Sequence, residues 1–501
     1  GAPLLTITSA STTATIDINN GQWWRIDGRP GGTGTTKGLV VANTSTSGIA
    51  IRFINEASNN IVRFCTVQGV NTSTTSGVVV FSTTTGANGN DNNLIDNCDI
   101  RDGATTPTNG IYSSATTTVP AQYNDNNTVS NCNIFNYFNS SSSNAGINLS
   151  SGSAGWTING NSFYQTVSRA PTAGTTNAFL SSSTLNNGLN VTNNFVGGSA
   201  PLAGGTAMTY TGVPILRAFQ ITVGTASTSN ITGNTFSNIS VTSSSTSSAQ
   251  SLISLLTGRI NCSNNIIGNQ TTTNNIVFSL SGSAARLQAI LAGTGTPELT
   301  TINGNSIGSM SMVITGAPTT VPAFFVISLQ GTTTPLSWTV NNNTIGSLTT
   351  ANSIQSNGNS TLGAIITFSN ALNQTFNNNT IANLTNTSTG TSASANGLLL
   401  QGSGTSPSLL GTFTATGNLI RDISTSSAST TFVSAVGMSV LGNGQVGGNN
   451  LISQNTIHSI VNTNPTAATA SFGAIFSMSS GTTNVIDRNF IHSISLLTTG
   501  A

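Results

Sequence analysis

The chain has 501 residues, only 5% of them charged, and a net charge of +1, against roughly 25% charged residues in an ordinary soluble chain. So neutral a surface offers no footprint for nucleic acid or an anionic membrane, and the 36% hydrophobic residues are dispersed, with no run of the roughly 20 apolar residues that spans a bilayer. Near-zero net charge together with regularly recurring Ile, Val, Leu and Phe favours an ordered chain over a disordered one.

The chain opens at Gly1 with no Met and no charged-then-apolar leader, which reads as a processed mature form or a segment of something longer. The first distinctive stretch is Gly21-Gln22-Trp23-Trp24-Arg25-Ile26-Asp27-Gly28-Arg29. Its tryptophans are expected to cover the first coil of the structure, with sugar stacking as the functional alternative.

From residue 62 onward a repeat organises the chain. Cys65, Cys98, Cys132, Asn161, Asn194, Asn234, Asn265, Asn305, Asn343, Asn379, Asn418, Asn455 and Asn489 share one phase, at intervals of 29 to 40 residues. Two residues after each comes an apolar side chain, from Val67 and Ile100 to Ile457 and Ile491; three residues before each comes another, from Val62 and Ile95 to Ile452 and Ile486. Strand side chains alternate faces, so two inward residues separated by an odd interval of five cannot share one unbroken strand. The chain must bend between them, at the polar pair such as Asn342-Asn343, Asn378-Asn379 or Gly304-Asn305, where Asn and Gly tolerate left-handed backbone.

A further strand lies between successive bends, as in Val78 to Phe81, Ile111-Tyr112, Phe325 to Leu329 and Ala474 to Phe476. Three short strands then make a coil, and coils must stack to bury their apolar faces. The reading is an all-β, three-stranded parallel β-solenoid of about 13 or 14 coils, a single domain over residues 1–501 and a rod about 60–65 Å long at about 4.8 Å per coil. The stacked Asn side chains are expected to bond along the axis as a ladder.

The first rungs also hold the densest charge, Asp91, Asp96, Asp99, Arg101 and Asp102, with Arg63 one rung earlier in the phase of Asp96. Paired carboxylates with a nearby Arg are what acid–base cleavage of a sugar chain requires, although a local ion-pair cluster is the ordinary outcome of such a grouping. Arg63, Asp96, Asp99, Arg101 and Asp102 are therefore the catalytic candidates if the chain is an enzyme. The three cysteines of the same rungs predict an internal stack of free thiols. With no CxxC pair among the four cysteines, neither a metal nor a cofactor is implied.

Near the end, His458 and His492 fall in one phase with Arg421, a basic stripe at the surface. Serine- and threonine-rich tracts at residues 140–143, 243–248 and 424–431 read as polar loops. Sequons such as those at Asn43, Asn71 and Asn383 arise by chance in a chain this rich in Asn, Ser and Thr, and those at Asn342 and Asn378 follow from the ladder register.

The coil pattern and its Asn bend resemble the right-handed parallel β-helix proteins of the pectate-lyase-like superfamily over about residues 16 to 494. That resemblance implies the right hand and a secreted or cell-surface, bacterial setting; it includes polysaccharide lyases and hydrolases, tailspikes and adhesins, so it does not choose an activity. Scarce charge favours a non-enzymatic surface protein, serving adhesion or assembling as a homo-oligomer or filament through the solenoid ends. The alternatives are a polysaccharide lyase or glycoside hydrolase on the solenoid flank, and a glycan- or ice-binding face of outward Thr in register. Coil lengths of 29 to 40 residues count against so regular a face.

Overall fold

In the computed structural model the described residues are 4–246, 249–283, 286–293, 299–318, 320–331, 337–368, 373–401, 412–428, 433–441, 449–463, 471–477 and 483–496. They form an all-β parallel solenoid with three sheets; two 3-10 turns, Pro30–Gly32 and Pro120–Gln122, are the helical segments among them. The chain divides into two compact units, Gly1–Ile239 and Ser240–Ala501.

In the first unit seven strands stack before the bend, from Arg25–Asp27 to Ser229–Thr232, and seven stack on the middle sheet, from Ala14–Asn19 to Arg217–Thr222. The post-bend sheet includes Leu39–Asn43, Cys65–Gly69, Asp99–Asp102, Asn133–Phe135 and Ser162–Tyr164. The second unit repeats the plan, with pre-bend strands from Ile260–Ser263 to Thr483–Asp487 and middle strands from Gln250–Thr257 to Ser471–Ser477.

The bend falls where the odd interval requires it. Every residue just before phase zero has positive φ, from Phe64 at 52° through Asn97, Gly160, Asn342 and Gly417 to Arg488 at 50°. The flanking apolar columns point inward: all are buried except Ile486 and Ile491 of the last coil, 49% and 43% exposed. A second left-handed position, four residues after phase zero at Asn136, Ser309, Asn383, Asp422 and Ser459, was not legible in the repeat. In the second unit the post-bend sheet also carries Ile276–Leu280, Met310–Ile314 and Ile354–Ser356, paired in parallel. Met310–Ile314 follows directly on Ser309, while the other two follow left-handed turns at Asn274 and Asn352.

The polar interior is a chain of amides. In the second unit Asn305 donates its N–H and Nδ2 to Oδ1 of Asn343 at 3.0 and 2.9 Å, and Asn343 does the same to Asn379 at 3.1 and 3.0 Å. The pattern holds from Asn265 to Asn489. From Asn305 to Asn489 each Nδ2 also bonds a carbonyl of the preceding coil, as Asn343 does to Ile302 at 3.0 Å. A buried bend thus leaves no amide unpaired, which in a dry interior would cost about 1–3 kcal/mol per group.

Where the first unit substitutes Cys, the thiols follow a looser version of the scheme. The Cys98 N–H lies 3.3 Å from Sγ of Cys132, whose own Sγ lies 3.7 Å from the Ile95 carbonyl. All four cysteines are buried and free. A second ladder, five residues earlier, accompanies them: Asn60 donates to Asn93, and Asn93 to Asn127, at 2.9 to 3.0 Å. A third joins Asn90 to Asn124.

Three expectations need correction. Trp23 and Trp24 do not cover the first coil: they are 75% and 63% exposed, because Trp23 sits at φ 65° in a turn held by its N–H to the Ser58 carbonyl. The serine tracts are only partly loops, since Ser243 ends a strand and is buried, and Ser424 and Thr425 lie inside Leu419–Thr425; residues 247–248 and 429–431 lie outside the described residues. In keeping with sequons that arise from composition, Asn43 and Asn71 are buried, each donating its amide to backbone carbonyls, so a glycan on either requires unfolding. Finally, unequal coil length does not disturb the pre-bend sheet, because the extra residues are taken up in loops and the strands stay in register.

Candidate functional site

The bend at Asn97-Cys98 splits the charged candidates into two groups on different sheets. On the pre-bend sheet Asp27, Arg63 and Asp96 stand side by side on successive strands. Arg63 turns toward Asp27, with Nε and Nη2 at 2.9 and 2.8 Å from Oδ2. Asp27 also accepts Arg29 at 2.9 and 2.8 Å and lies 3.6 Å from Arg25. The hydrogen bond from Arg29 holds the Asp27 carboxyl below its ordinary range, as expected of a carboxylate gathering guanidinium donors. Asp96 accepts from Ser130, Asn131 and Asn97 at 2.8, 3.0 and 2.8 Å.

On the post-bend sheet Asp99 pairs with Lys37, 62 residues earlier in the chain, and accepts Asn133 Nδ2 at 2.7 Å. Two positions along the same strand, Arg101 donates to Asp102 Oδ1 at 3.2 Å and lies over the Phe135 ring, 5.2 Å from its centroid. Phe135 in turn stacks on Tyr164 at 4.7 Å and 8°. Burial, with Asp99 nearby, raises the Tyr164 hydroxyl above its usual range. Asn136 donates to Asp102 at 3.2 Å.

Asp91 belongs to neither group. It lies in the turn between middle and pre-bend sheets, where its Oδ1 accepts the Asp125 N–H at 2.7 Å, and Asp125 accepts the Ala154 N–H at 2.8 Å. Burial pushes Asp91 up to about 6 and raises Asp125.

Residue spacing did not reveal Asp27, Arg29 and Lys37 as members of these groups. The first coil lacks the Asn motif: Gly28 and Gly38 close a loop there, the N–H of Gly38 bonding the Gly28 carbonyl at 2.7 Å. The available signals were Lys37, the single Lys of the chain, and the three charges Arg25, Asp27 and Arg29 close together in the first distinctive stretch.

In the second unit Arg421, His458 and His492 are in register, and the imidazoles stack at 4.6 Å and 7°. Their Nδ1 atoms lie 3.0 Å from the hydroxyls of Ser459 and Ser493. Burial, and then the neighbouring His492, lowers the His458 pKa. Among the described residues no group of three or more His, Cys, Asp or Glu is arranged to hold a metal ion, and no helix is long and apolar enough to cross a membrane. A groove of about 330 Å³ in the same unit is lined by neutral side chains, including Asn274, Val277, Gln355 and Asn357.

No protein-family model matches the chain, and no curated protein matches it. Among solved structures, a PL6 family alginate lyase aligns over 98% of both chains with 8% identity and a TM-score of 0.16, too slight a likeness to bear on fold or activity.

Proposed function

We propose that the chain is a non-enzymatic extracellular scaffold of a bacterial surface, a single repeat domain over residues 1–501 that serves adhesion or assembles with further copies of itself. One observation carries this reading. Every carboxylate among the described residues already accepts a hydrogen bond or ion pair from the protein: Asp17 from Arg52, Asp27 from three arginines, Glu56 from Asn88, Asp91 and Asp125 from backbone N–H groups, Asp96 from Ser130, Asp99 from Lys37, Asp102 from Arg101, Asp422 from Arg421 and Asp487 from Arg488. A general acid or base needs a free site within hydrogen-bond reach of the reacting atom. Asp422 and Asp487 pair with the arginine next to them in the chain, whereas the other carboxylates join coil to coil, Asp102 by way of Asn136.

Release of unsaturated or reducing ends from acidic and neutral glycans tests the reading, with Asp99→Ala alongside. The scaffold predicts no product from either protein. Glycan cleavage by the wild type that Asp99→Ala abolishes would replace it with a lyase or hydrolase using the post-bend group. Sedimentation over a range of concentrations tests the assembly claim, which a strictly monomeric chain would overturn.

A further inference from the structure

The pre-bend sheet of the second unit carries an ordered array that the scaffold reading does not use. Thr301, Thr339, Thr375 and Thr414 are direct register partners on four consecutive coils, with no bulge between them. Each lies one residue before an inward side chain, Ile302, Val340, Phe376 or Ala415, all fully buried, so the threonines face outward. Their hydroxyls make no hydrogen bond with the described residues, whereas most polar side chains nearby are engaged. The backbone sets their spacing at about 4.8 Å from coil to coil, and the adjacent outward column lies about 6.6 Å along each strand.

That adjacent column is rigid. Asn303 accepts Nδ2 of Asn342, Asn341 accepts the N–H of Asn377, and Asn377 accepts the Thr416 hydroxyl, each at 2.8 Å. The result is a grid of methyl, hydroxyl and amide groups with fixed positions and no charge. β-branched Thr adds to that fixity, since its χ1 is restricted on a strand.

We infer that this array binds a crystalline water surface, that is, ice. A free Thr hydroxyl both donates and accepts, so each can take the place of a lattice water, while its methyl packs into the space between. Four such groups held in line by backbone already lack the conformational freedom that flexible side chains would lose on binding. The outward positions of these strands from Thr301, Ser337, Asn373 and Thr412 onward are Ser, Thr and Asn, without the aromatic anchors on which protein interfaces centre or the rings on which sugars stack. Unequal coil length is no obstacle, because it is confined to loops. The inference is independent of the scaffold reading, and either can fail alone.

The test freezes a dilute solution of the full chain slowly onto a cold probe and measures protein recovered in the ice, with recrystallisation inhibition as a second readout. Wild-type protein is expected to be enriched in ice. Thr339→Lys with Thr375→Lys should reduce enrichment to that of a non-binding control protein, while Thr157→Lys on the same sheet of the first unit leaves it intact. Thr375→Val keeps the shape and removes a hydroxyl, so it serves if the lysine variant does not fold, and it should weaken enrichment. Exclusion of the folded wild type from ice, or enrichment that survives all the second-unit substitutions, overturns the proposal. Retention on insoluble uncharged polysaccharide without ice enrichment overturns it as well, in favour of a sugar surface.

Discussion

A single ladder amide carries several obligations at once. Asn343 is fully buried, accepts two bonds from Asn305 and donates to Ile302, Asn341 and Asn379. Replacing it with Ala leaves the Asn305 N–H and Nδ2 and the Ile302 carbonyl without these partners. The expected cost is about 3 kcal/mol, measured by denaturant unfolding. Asn343→Cys should cost less than Asn343→Ala, because thiols fill the same slot at Cys98 and Cys132. The residue before the ladder is a separate case. Gln454 holds φ at 58° without glycine's freedom, so Gln454→Gly should stabilise the fold by about 1 kcal/mol, read as a higher Tm. An unchanged or lower Tm would show that the Gln side chain contributes more than its backbone strain costs. The ladder was legible because Asn recurs in one phase over ten coils. The left-handed residue at Phe64, by contrast, belongs to a residue type that gives no such warning.

At the scale of strands and turns, the charged groups act in opposite directions with pH. Asp91, raised to about 6 by burial, favours its protonated form in the fold. Its stabilising contribution is complete below the unfolded value near 3.9 and is lost as pH rises through about 6. Asp27, lowered by Arg29, contributes above the unfolded value and loses that contribution as pH falls. Thermal unfolding between pH 4 and 7 should therefore show a stability loss on raising pH that Asp91→Asn reduces, since the amide oxygen still accepts the Asp125 N–H, with Asp125, also raised by burial, carrying part of the remainder. A profile identical in the two proteins would assign that loss to other groups. This turn also marks where sequence reading stopped short. Asn90-Asp91-Asn92-Asn93 and Asn124-Asp125-Asn126-Asn127 are the same tetrad one coil apart, yet it recurs too few times for periodicity to separate it from an Asn-rich background. Grouping Asp91 with Asp96 to Asp102 by proximity in sequence then placed it on the wrong surface, since a turn intervenes. The split of the remaining candidates across the bend follows from the same odd interval that located the bend.

For the molecule as a whole, what matters is which parts of a coil have a fixed length. From Asp96 and Asp99 onward the step from pre-bend to post-bend strand takes the same two residues in each coil, while the other connections differ from coil to coil. Loop closure entropy grows only slowly with added residues. A ten-residue Gly/Ser insert after Ala351, which is exposed, is therefore expected to cost only about 1 kcal/mol, whereas the same insert between Asn342 and Asn343 should abolish cooperative unfolding of the second unit. Equal losses at both places would mean that the loop is as constrained as the bend. If the expected asymmetry holds, selection can lengthen, shorten or replace the loops of one coil without altering its neighbours, and the surface becomes free to diverge while the interior keeps count. Descent in such proteins would then be recorded in the rhythm of their buried amides, and similarity searches that weight the exposed loops would lose the trail first.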